Sequence, residues 1–232
     1  MLTLRKADDR GHANHGWLDS HHTFSFGSYH DPNHMGIANL RVINDDTVAP
    51  GGGFAEHGHN DMEIISYVLD GQLEHKDSMG NGSVIRPGDV QRMSAGTGVT
   101  HSEYNPSADE PVHFLQIWLQ PNAQGVEPAY SQKHFPIDER RGRWVPLVSP
   151  DGRDGSIATH QDAVMLGALL AAGQHLSYRF EPERQGYLHL ARGELRVGDA
   201  MLRAGDGLHV QTHERLELEG LEDAEILLFD LA

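Results

Sequence analysis

Two pairs of potential metal ligands stand out in the sequence, each with a single residue between its members. His57 and His59 form the first pair, and His101 and Glu103 form the second about forty residues further along the chain. Alternate residues of a β-strand project to the same face, so each pair would direct both side chains to one side. Two such strands facing each other inside a barrel would bring three imidazoles and one carboxylate together.

These side chains offer nitrogen and oxygen donors, and the chain contains no cysteine that could add sulfur. Such a donor set suits a borderline divalent transition metal, namely Fe, Mn, Co, Ni, Cu or Zn. The residues therefore predict a metal site without choosing among these ions. An octahedral ion with four protein ligands keeps two open positions, which suits catalysis better than a closed structural site does.

Other potential ligands lie close to the first pair. Glu63 has the same parity as His57 and His59, so a regular strand would direct it inward, as a ligand or as a carboxylate that orients a histidine. The glycine, aspartate and asparagine residues near the N-terminus predict loop and pocket-rim roles for six further histidines, with a separate site as the alternative. These are His12, His15, His21, His22, His30 and His34.

The elements that must position these residues are short. Glycine and proline recur at close intervals, and this pattern of frequent turns predicts an all-β barrel or sandwich. Apolar or β-branched runs lie between the turns, at 40–43, 64–69, 112–119, 187–190, 208–210 and 224–231. The apolar run 163–172 has a length that fits either a strand or a helix, so its structure stays open.

An internal repeat divides the chain. The segments EIISYVLDGQLEH (63–75) and RPGDVQRM (86–93) are echoed by QGYLHLARGELRV (185–197) and RAGDGLHV (203–210). Two copies of one β unit predict two similar domains. We expect an N-terminal domain at 1–135 and a C-terminal domain at 136–232, with the polar segment 120–143 as the connection.

Composition excludes several classes of protein. The 232 residues include 34 acidic and 18 basic side chains, and the formal charge of −16 argues against nucleic acid as a partner. No apolar run approaches the length of a membrane span, and the N-terminal residues lack the apolar segment of a secretory signal. We therefore expect a cytoplasmic protein that contacts neither nucleic acid nor membrane.

The segments around both pairs resemble the two motifs of the cupin superfamily. Glycines bound the first pair and Glu63. Before the second pair, Gly88 and Gly96 match the second motif, although Ser94 replaces the proline of its Pro-x-Gly turn and four residues rather than two separate Gly96 from His101. The ending AGTGVTHSEYNP and the stretches RGHANHGWLDSHHTFSFGSYHDP and HGHNDMEIISYVLDGQLEHKDSMG are similar to those of the pirin family of bicupins, in particular its bacterial members.

This resemblance implies an all-β bicupin fold, with two antiparallel, jelly-roll-like β-barrels in tandem. It assigns the metal to His57, His59, His101 and Glu103, and it does not count Glu63 as a ligand. When the second repeat is aligned on the first, no histidine falls at the equivalent positions, so we expect no metal in the second barrel. Those positions are Arg179, Glu181, Gln185, Leu218 and Gly220.

Bacterial pirin-like proteins have quercetin 2,3-dioxygenase activity, which opens the flavonol ring with O2 and releases carbon monoxide. The resemblance therefore implies an oxidoreductase whose metal holds the flavonol and whose Glu103 acts as general base. We expect Phe24, Phe26 and Phe54 to line a slot for a flat polyphenol. Two alternatives remain open: a metal-binding regulatory protein with a protein partner, like the nuclear iron-binding eukaryotic pirins, or an enzyme acting on another phenol or an enediol.

Overall fold

Short strands make up most of the chain in the computed structural model, which describes residues 1–211 and 215–232. Within these residues the first eleven strands are β1 (Leu2–Arg5), β2 (Gly11–Asn14), β3 (Leu18–His22), β4 (Leu40–Val48), β5 (Gly53–His59), β6 (Glu63–Asp70), β7 (Leu73–Asp77), β8 (Gly82–Ile85), β9 (Asp89–Ser94), β10 (Val99–Tyr104) and β11 (Val112–Leu119).

The strands that follow are β12 (Ala129–His134), β13 (Val145–Ser149), β14 (Ile157–Ala158), β15 (Ala163–Leu170), β16 (His175–Arg179), β17 (Gln185–Arg192), β18 (Glu194–Val197), β19 (Ala200–Arg203), β20 (Gly207–Val210), β21 (Arg215–Gly220) and β22 (Ala224–Leu231). Helical structure in the same described ranges is limited to α1 (Ile137–Arg140) and to 3-10 turns at Ala7–Asp9 and Arg153–Gly155. In these ranges no helix is long and apolar enough to cross a membrane.

The strands group into two units. One unit comprises Gly11–His134 and Thr159–Gln161, and the other comprises Met1–Arg10, Phe135–Ala158 and Asp162–Ala232. The first ten residues thus belong to the second unit, because β1 pairs with β20, whereas the sequence placed them in the N-terminal domain. The predicted division into 1–135 and 136–232 stays a prediction.

The unit built on Gly11–His134 consists of two sheets. One sheet has seven strands in the order β12-β9-β6-β11-β4-β3-β2, and the other has four in the order β5-β10-β7-β8. The other unit repeats the plan, with the orders β1-β20-β17-β22-β15-β13-β14 and β16-β21-β18-β19. Almost all pairs are antiparallel, the short pair β13–β14 being parallel. The all-β bicupin fold and the internal repeat are therefore confirmed.

Two glycines show why the repeat was visible in the sequence. Gly71 joins β6 to β7 with a φ of +77°, and Gly193 joins β17 to β18 with a φ of +80°. A Cβ atom would lie 2.5 Å from the Pro111 carbonyl oxygen at the first position and 2.1 Å from the Asp223 carbonyl oxygen at the second. Both turns therefore require glycine for conformation and for space.

Three sequence expectations need correction or completion. The undecided run 163–172 forms strand β15, whose centre is buried between β13 and β22. The segment 120–143 is more than a connection, because its strand β12 pairs with β9 along the edge of a sheet. The N-terminal histidines are also not all in loops: β2 carries His12, and β3 carries His21 and His22.

The two units fill their interiors differently. In the second unit, sixteen buried apolar residues drawn from most of its strands form one cluster. In the unit that contains β5 and β10, a cluster around Val68, Leu73 and Phe114 and a separate cluster around Ile64 and Met93 lie on different parts of the barrel. Polar side chains also occupy the interior of that barrel, and those of the predicted metal site are among them.

Candidate metal centre and its cavity

Two paired strands carry the three predicted histidine ligands. β5 pairs antiparallel with β10, and His57 is the direct partner of His101. His59 lies two residues from His57 and therefore shares its face of β5. Strand parity and register together direct the three imidazoles to one point inside the barrel.

The three imidazoles contact one another. Their ring centroids are 4.5 Å apart for His57 and His101, 4.8 Å for His57 and His59, and 4.9 Å for His59 and His101. One donor atom from each ring lies within 4.8 Å of the donors of the other two. The Nε2 atoms of His57 and His101 are 3.1 Å apart. The structure thus brings together three of the four predicted ligands.

The protonation of these rings suits metal binding. The Nδ1 atom of His57 lies 2.8 Å from the Ala55 carbonyl oxygen and donates to it, which leaves the Nε2 lone pair directed at His101. Burial lowers the pKa of His101 to about 3, with added repulsion from the neighbouring histidines. Burial and His57 likewise lower the pKa of His59 to about 4. Both rings are therefore neutral near pH 7.

Glu103 lies in the same interior, but its carboxylate is grouped with His75 and His101 rather than with the other two predicted ligands. The register between β10 and β5 shifts between His101 and Glu103, so Glu103 is opposite Phe54. The shift separates Glu103 from His57 and His59 along the direction of the strands. The Glu103 side chain is 2% exposed.

Two hydrogen-bond donors hold the Glu103 carboxylate. Gln116 donates from Nε2 to Oε2 over 2.8 Å, and the Ser66 hydroxyl lies 3.1 Å from Oε1. The same hydroxyl is also 3.1 Å from the Gln116 side-chain oxygen, so its single proton serves one acceptor at a time. Burial raises the pKa of Glu103 above its usual range, although the hydrogen bond from Gln116 opposes the rise.

The donor set fits a divalent transition metal. With Nδ1 of His57 engaged, its Nε2 atom faces the Nε2 atom of the neutral His101 ring only 3.1 Å away. Two lone pairs at this distance repel each other unless a proton or a cation lies between them. Three convergent imidazoles with a buried carboxylate nearby match the nitrogen and oxygen ligands that such ions prefer.

Glu63 takes no part in this group. Strand β5 ends at His59, and Asp61 in the following turn has a φ of +45°, so the parity counted from His57 does not extend into β6. The Glu63 carboxylate instead accepts a 2.8 Å hydrogen bond from the Thr159 hydroxyl and contacts Nδ1 of His160 at 3.3 Å. Its contacts in the structure are therefore those of an anchor for residues 159–161.

A cavity of about 320 Å³ opens onto the three histidines. Its volume is at the lower end of the range of small-molecule sites. The wall is aromatic on several sides, with Trp17, Phe26, Phe54 and Trp118. Polar side chains line the remainder, and they include Ser20, Asn44, Asp46, Glu103 and Gln116.

Some of the aromatic and histidine residues predicted near the pocket line the cavity, and others do not. Phe26 and Phe54 line the cavity, but the expectation for Phe24 is wrong, because that ring is 2% exposed and lies outside the lining. His15 and His22 also line the cavity. On the β2–β3 hairpin, His12 and His21 are direct cross-strand partners with stacked rings. The Nε2 atom of His12 lies 2.6 Å from Oδ1 of Asp19.

Sequence reasoning missed Gln116, Ser66, Asp46 and Trp118. A usable signal existed for the first two, because each is a polar residue in the middle of a mostly apolar strand, β11 or β6. A buried polar side chain in such a strand needs a partner, and here the partner of both is Glu103. For Asp46 and Trp118 the strand pattern carried no comparable signal.

In the second unit, apolar packing occupies a position equivalent to the site. β16 pairs with β21 as β5 pairs with β10, and Leu218 of β21 lies in the hydrophobic cluster. Among the described residues, the candidate groups of metal donors belong to the unit that contains β5 and β10. The absence of metal from the second barrel stays a prediction.

Comparison with known families covers both units. Residues 3–119 match the family model for pirin. Residues 146–231 match the model described as the quercetinase C-terminal cupin domain.

Individual relatives match over the full length. A quercetin 2,3-dioxygenase from Escherichia coli K12 is 46% identical over 231 residues, which is 100% of this chain and 99% of that protein. A pirin-like protein from Caulobacter vibrioides is 43% identical and is covered completely, as is this chain. The crystal structure of an Escherichia coli bacterial pirin in complex with nickel(II) superimposes with a TM-score of 0.95 at 44% identity, covering 100% of this chain and 99% of that one.

Proposed function

The chain belongs to the pirin family, and on that premise we propose that it is a quercetin 2,3-dioxygenase. This metal-dependent oxidoreductase opens the flavonol ring of quercetin with O2 and releases carbon monoxide. The observation that carries the proposal is the cavity of about 320 Å³, because its wall contains both the three-histidine group and the buried Glu103. A substrate in this cavity would reach the metal ligands directly.

His57, His59 and His101 would hold one divalent ion, with Glu103 as the fourth ligand. The mutual distances of the three imidazoles support this assignment. Once bound, the ion would supply Lewis-acid chemistry, polarising a coordinated oxygen of the substrate and making the flavonol 3-hydroxyl more acidic.

Glu103 would accept the proton of that hydroxyl. Its carboxylate lines the cavity, and burial raises its pKa, which makes it a better proton acceptor than an exposed glutamate. Gln116 and Ser66 would keep the carboxylate in place while it gains the proton, because they bind its two oxygens. Proton transfer to Glu103 converts the flavonol to the anion that reacts with O2.

The aromatic wall would orient the flat flavonol. Trp17 packs edge-on against Phe54 with ring centroids 5.1 Å apart, and Phe26 packs edge-on against Trp118 at 5.4 Å. All four rings line the cavity. Aromatic faces bind planar rings by stacking and exclude water from the reacting oxygen atoms.

The proposal extends to the ion and to the location of the protein. A related bacterial pirin binds nickel(II), and the nitrogen and oxygen donors here also suit iron, copper, cobalt, manganese or zinc. Elemental analysis of protein purified without added metal identifies the resident ion.

We also propose a cytoplasmic location, which a chain without cysteine suits.

The alternatives are separated by the cavity and by a substrate screen. A metal site that only tunes a protein-binding surface has no need for a substrate-sized cavity, so the cavity favours an enzyme over a regulatory protein. An enzyme acting on another phenol or an enediol would use the same residues. Competition of such compounds with quercetin ranks them by kcat/KM.

The decisive experiment is aerobic turnover of quercetin by the metal-loaded protein with detection of carbon monoxide. His57→Ala and Glu103→Ala should abolish turnover. His113→Ala is the matched control, because His113 bonds to Asp45 at 2.6 Å and belongs to none of the metal-donor groups among the described residues. Carbon monoxide release by the His57→Ala variant or by the Glu103→Ala variant at the wild-type rate would contradict the role proposed for that residue.

A further inference from the structure

Two buried side chains, those of His75 and Asp77, lie behind the candidate metal centre on the far side of His101. β7 pairs with β10 so that Asp77 is opposite His101 and His75 is opposite Glu103. Alternate residues of each strand share a face, so all four side chains lie on the same face of the sheet. His75 and the side chain of Asp77 are fully buried, and His101 is 2% exposed.

The side chains of His101, His75 and Asp77 are linked through their polar atoms. Nδ1 of His101 lies 3.5 Å from Nδ1 of His75, and Nε2 of His75 lies 3.1 Å from a carboxylate oxygen of Asp77. On the other side of its ring, His101 directs Nε2 toward His57. The two nitrogens of His101 therefore face different partners, the metal centre and His75.

The chemistry of the partners sets the direction of each hydrogen bond. The Asp77 carboxylate only accepts, so Nε2 of His75 carries a proton and donates it. When Nε2 holds the single proton of the ring, the Nδ1 atom of His75 is an acceptor. It can accept only from Nδ1–H of His101, and this tautomer leaves Nε2 of His101 unprotonated as a metal ligand.

Packing and hydrogen bonds fix both members of the pair. The ring of His75 stacks on Tyr130 with a centroid distance of 4.9 Å and an interplanar angle of 28°. The Tyr130 hydroxyl is hydrogen-bonded to Ser83. The Asp77 carboxylate also accepts from the backbone N–H of Met79 and from Asn81 in the following turn. His75 therefore has little freedom to turn away from His101.

We propose that His75 and Asp77 are a positioning pair that fixes the ring orientation and the tautomer of His101 for metal binding. This inference rests on the proposed metal site. His75 does not join the same ion, because it contacts the opposite nitrogen of the His101 ring from the one that faces His57. Partners of this kind, which bind a ligand rather than the metal, typically change metal affinity by about 10- to 100-fold.

Titration calorimetry with Ni²⁺ on the full-length protein tests the pair. His75→Leu removes the acceptor and should weaken Ni²⁺ binding by about 10- to 100-fold. His75→Asn places an oxygen near the former Nδ1 position and should recover most of that loss. His113→Leu is the matched control, because it removes a histidine bonded to an aspartate outside the centre and should leave the affinity unchanged. Thermal unfolding of each metal-free variant verifies that it is folded.

A second measurement needs no variant. In the Zn²⁺-loaded wild type, nitrogen-15 NMR of the imidazoles should show His75 protonated at Nε2 only and His101 protonated at Nδ1. The opposite tautomer of His75, or unchanged Ni²⁺ affinity in His75→Leu, overturns the positioning role. If His57→Ala binds Ni²⁺ as tightly as the wild type, the proposed metal site itself fails, so the two failures are distinguishable.

Discussion

His57 and His101 are direct cross-strand partners whose Nε2 atoms lie 3.1 Å apart. Each ring has its other nitrogen engaged on the far side, by the Ala55 carbonyl oxygen for His57 and by His75 for His101. The contact therefore joins the two atoms best placed to bind an ion.

Removal of either histidine should eliminate the site. We expect His57→Ala to weaken Ni²⁺ binding by more than about 100-fold, beyond the effect of an outer-shell change. Calorimetry measures the affinity, with His113→Ala as control, since His113 belongs to none of the metal-donor groups among the described residues. One tight equivalent of Ni²⁺ retained by His57→Ala would place the ion elsewhere.

Gln116→Leu should impair catalysis more than metal binding. The substitution removes the 2.8 Å hydrogen bond to Oε2 of Glu103 while keeping the size of the side chain. A hydrogen bond to a charged group is worth about 1.5–3 kcal/mol, so we expect kcat to fall by about 10- to 100-fold. Steady-state kinetics at saturating quercetin measures kcat. Gln174→Leu serves as control, because the Gln174 side chain accepts from the Ala171 backbone N–H in the other unit. Wild-type kcat would contradict the role of Gln116.

Asp46 should make stability depend on pH. Burial raises its pKa to about 7 from an unfolded value of 3.8, although the hydrogen bond from Ser20 opposes the rise. A folded-state pKa above the unfolded value means that the stabilisation is complete below pH 4 and is lost as the pH rises through 7.

Asp46→Asn keeps the shape and removes this titration. We expect the metal-free variant to gain stability relative to the wild type as the pH rises from 5 to 8. Thermal unfolding across that range measures the difference. Asp138→Asn, at a side chain that is 92% exposed, should follow the wild type. A constant difference between wild type and Asp46→Asn across the range would show that Asp46 does not titrate there.

Glu63→Gln should weaken the attachment of residues 159–161 without affecting metal binding. Glu63 accepts hydrogen bonds from Thr159 and from the backbone N–H of His160, so the substitution should lower the free energy of unfolding by about 1–3 kcal/mol. Ni²⁺ affinity should remain that of the wild type. Loss of Ni²⁺ binding in a folded Glu63→Gln protein would restore Glu63 as a ligand.

Trp17→Ala should weaken substrate binding. Trp17 lines the cavity, is 37% exposed and packs against Phe54. An aromatic contact is worth about 0.5–1.5 kcal/mol, so KM for quercetin should rise by about 2- to 10-fold with little change in kcat. Met201→Ala, at an exposed apolar side chain of the other unit, is the control. An unchanged KM would remove Trp17 from the binding surface.

Local features of the chain were sufficient for the fold class and for part of the site. Gly71 and Gly193 mark equivalent turns because each has a positive φ and no room for a Cβ atom. The spacing of His57 and His59 places both rings on one face because residues two apart in a strand always share a face. These properties depend on a few consecutive residues, so the sequence alone determined them.

Register and long-range packing decided the rest. The turn at Asp61 breaks the parity that would have directed Glu63 to the metal, and residues 159–161 supply its partners. His75 and Gln116 reach the site only because β7 and β11 are paired where they are. Which residues of distant strands become neighbours depends on the packing of the whole barrel, and no local pattern encodes it.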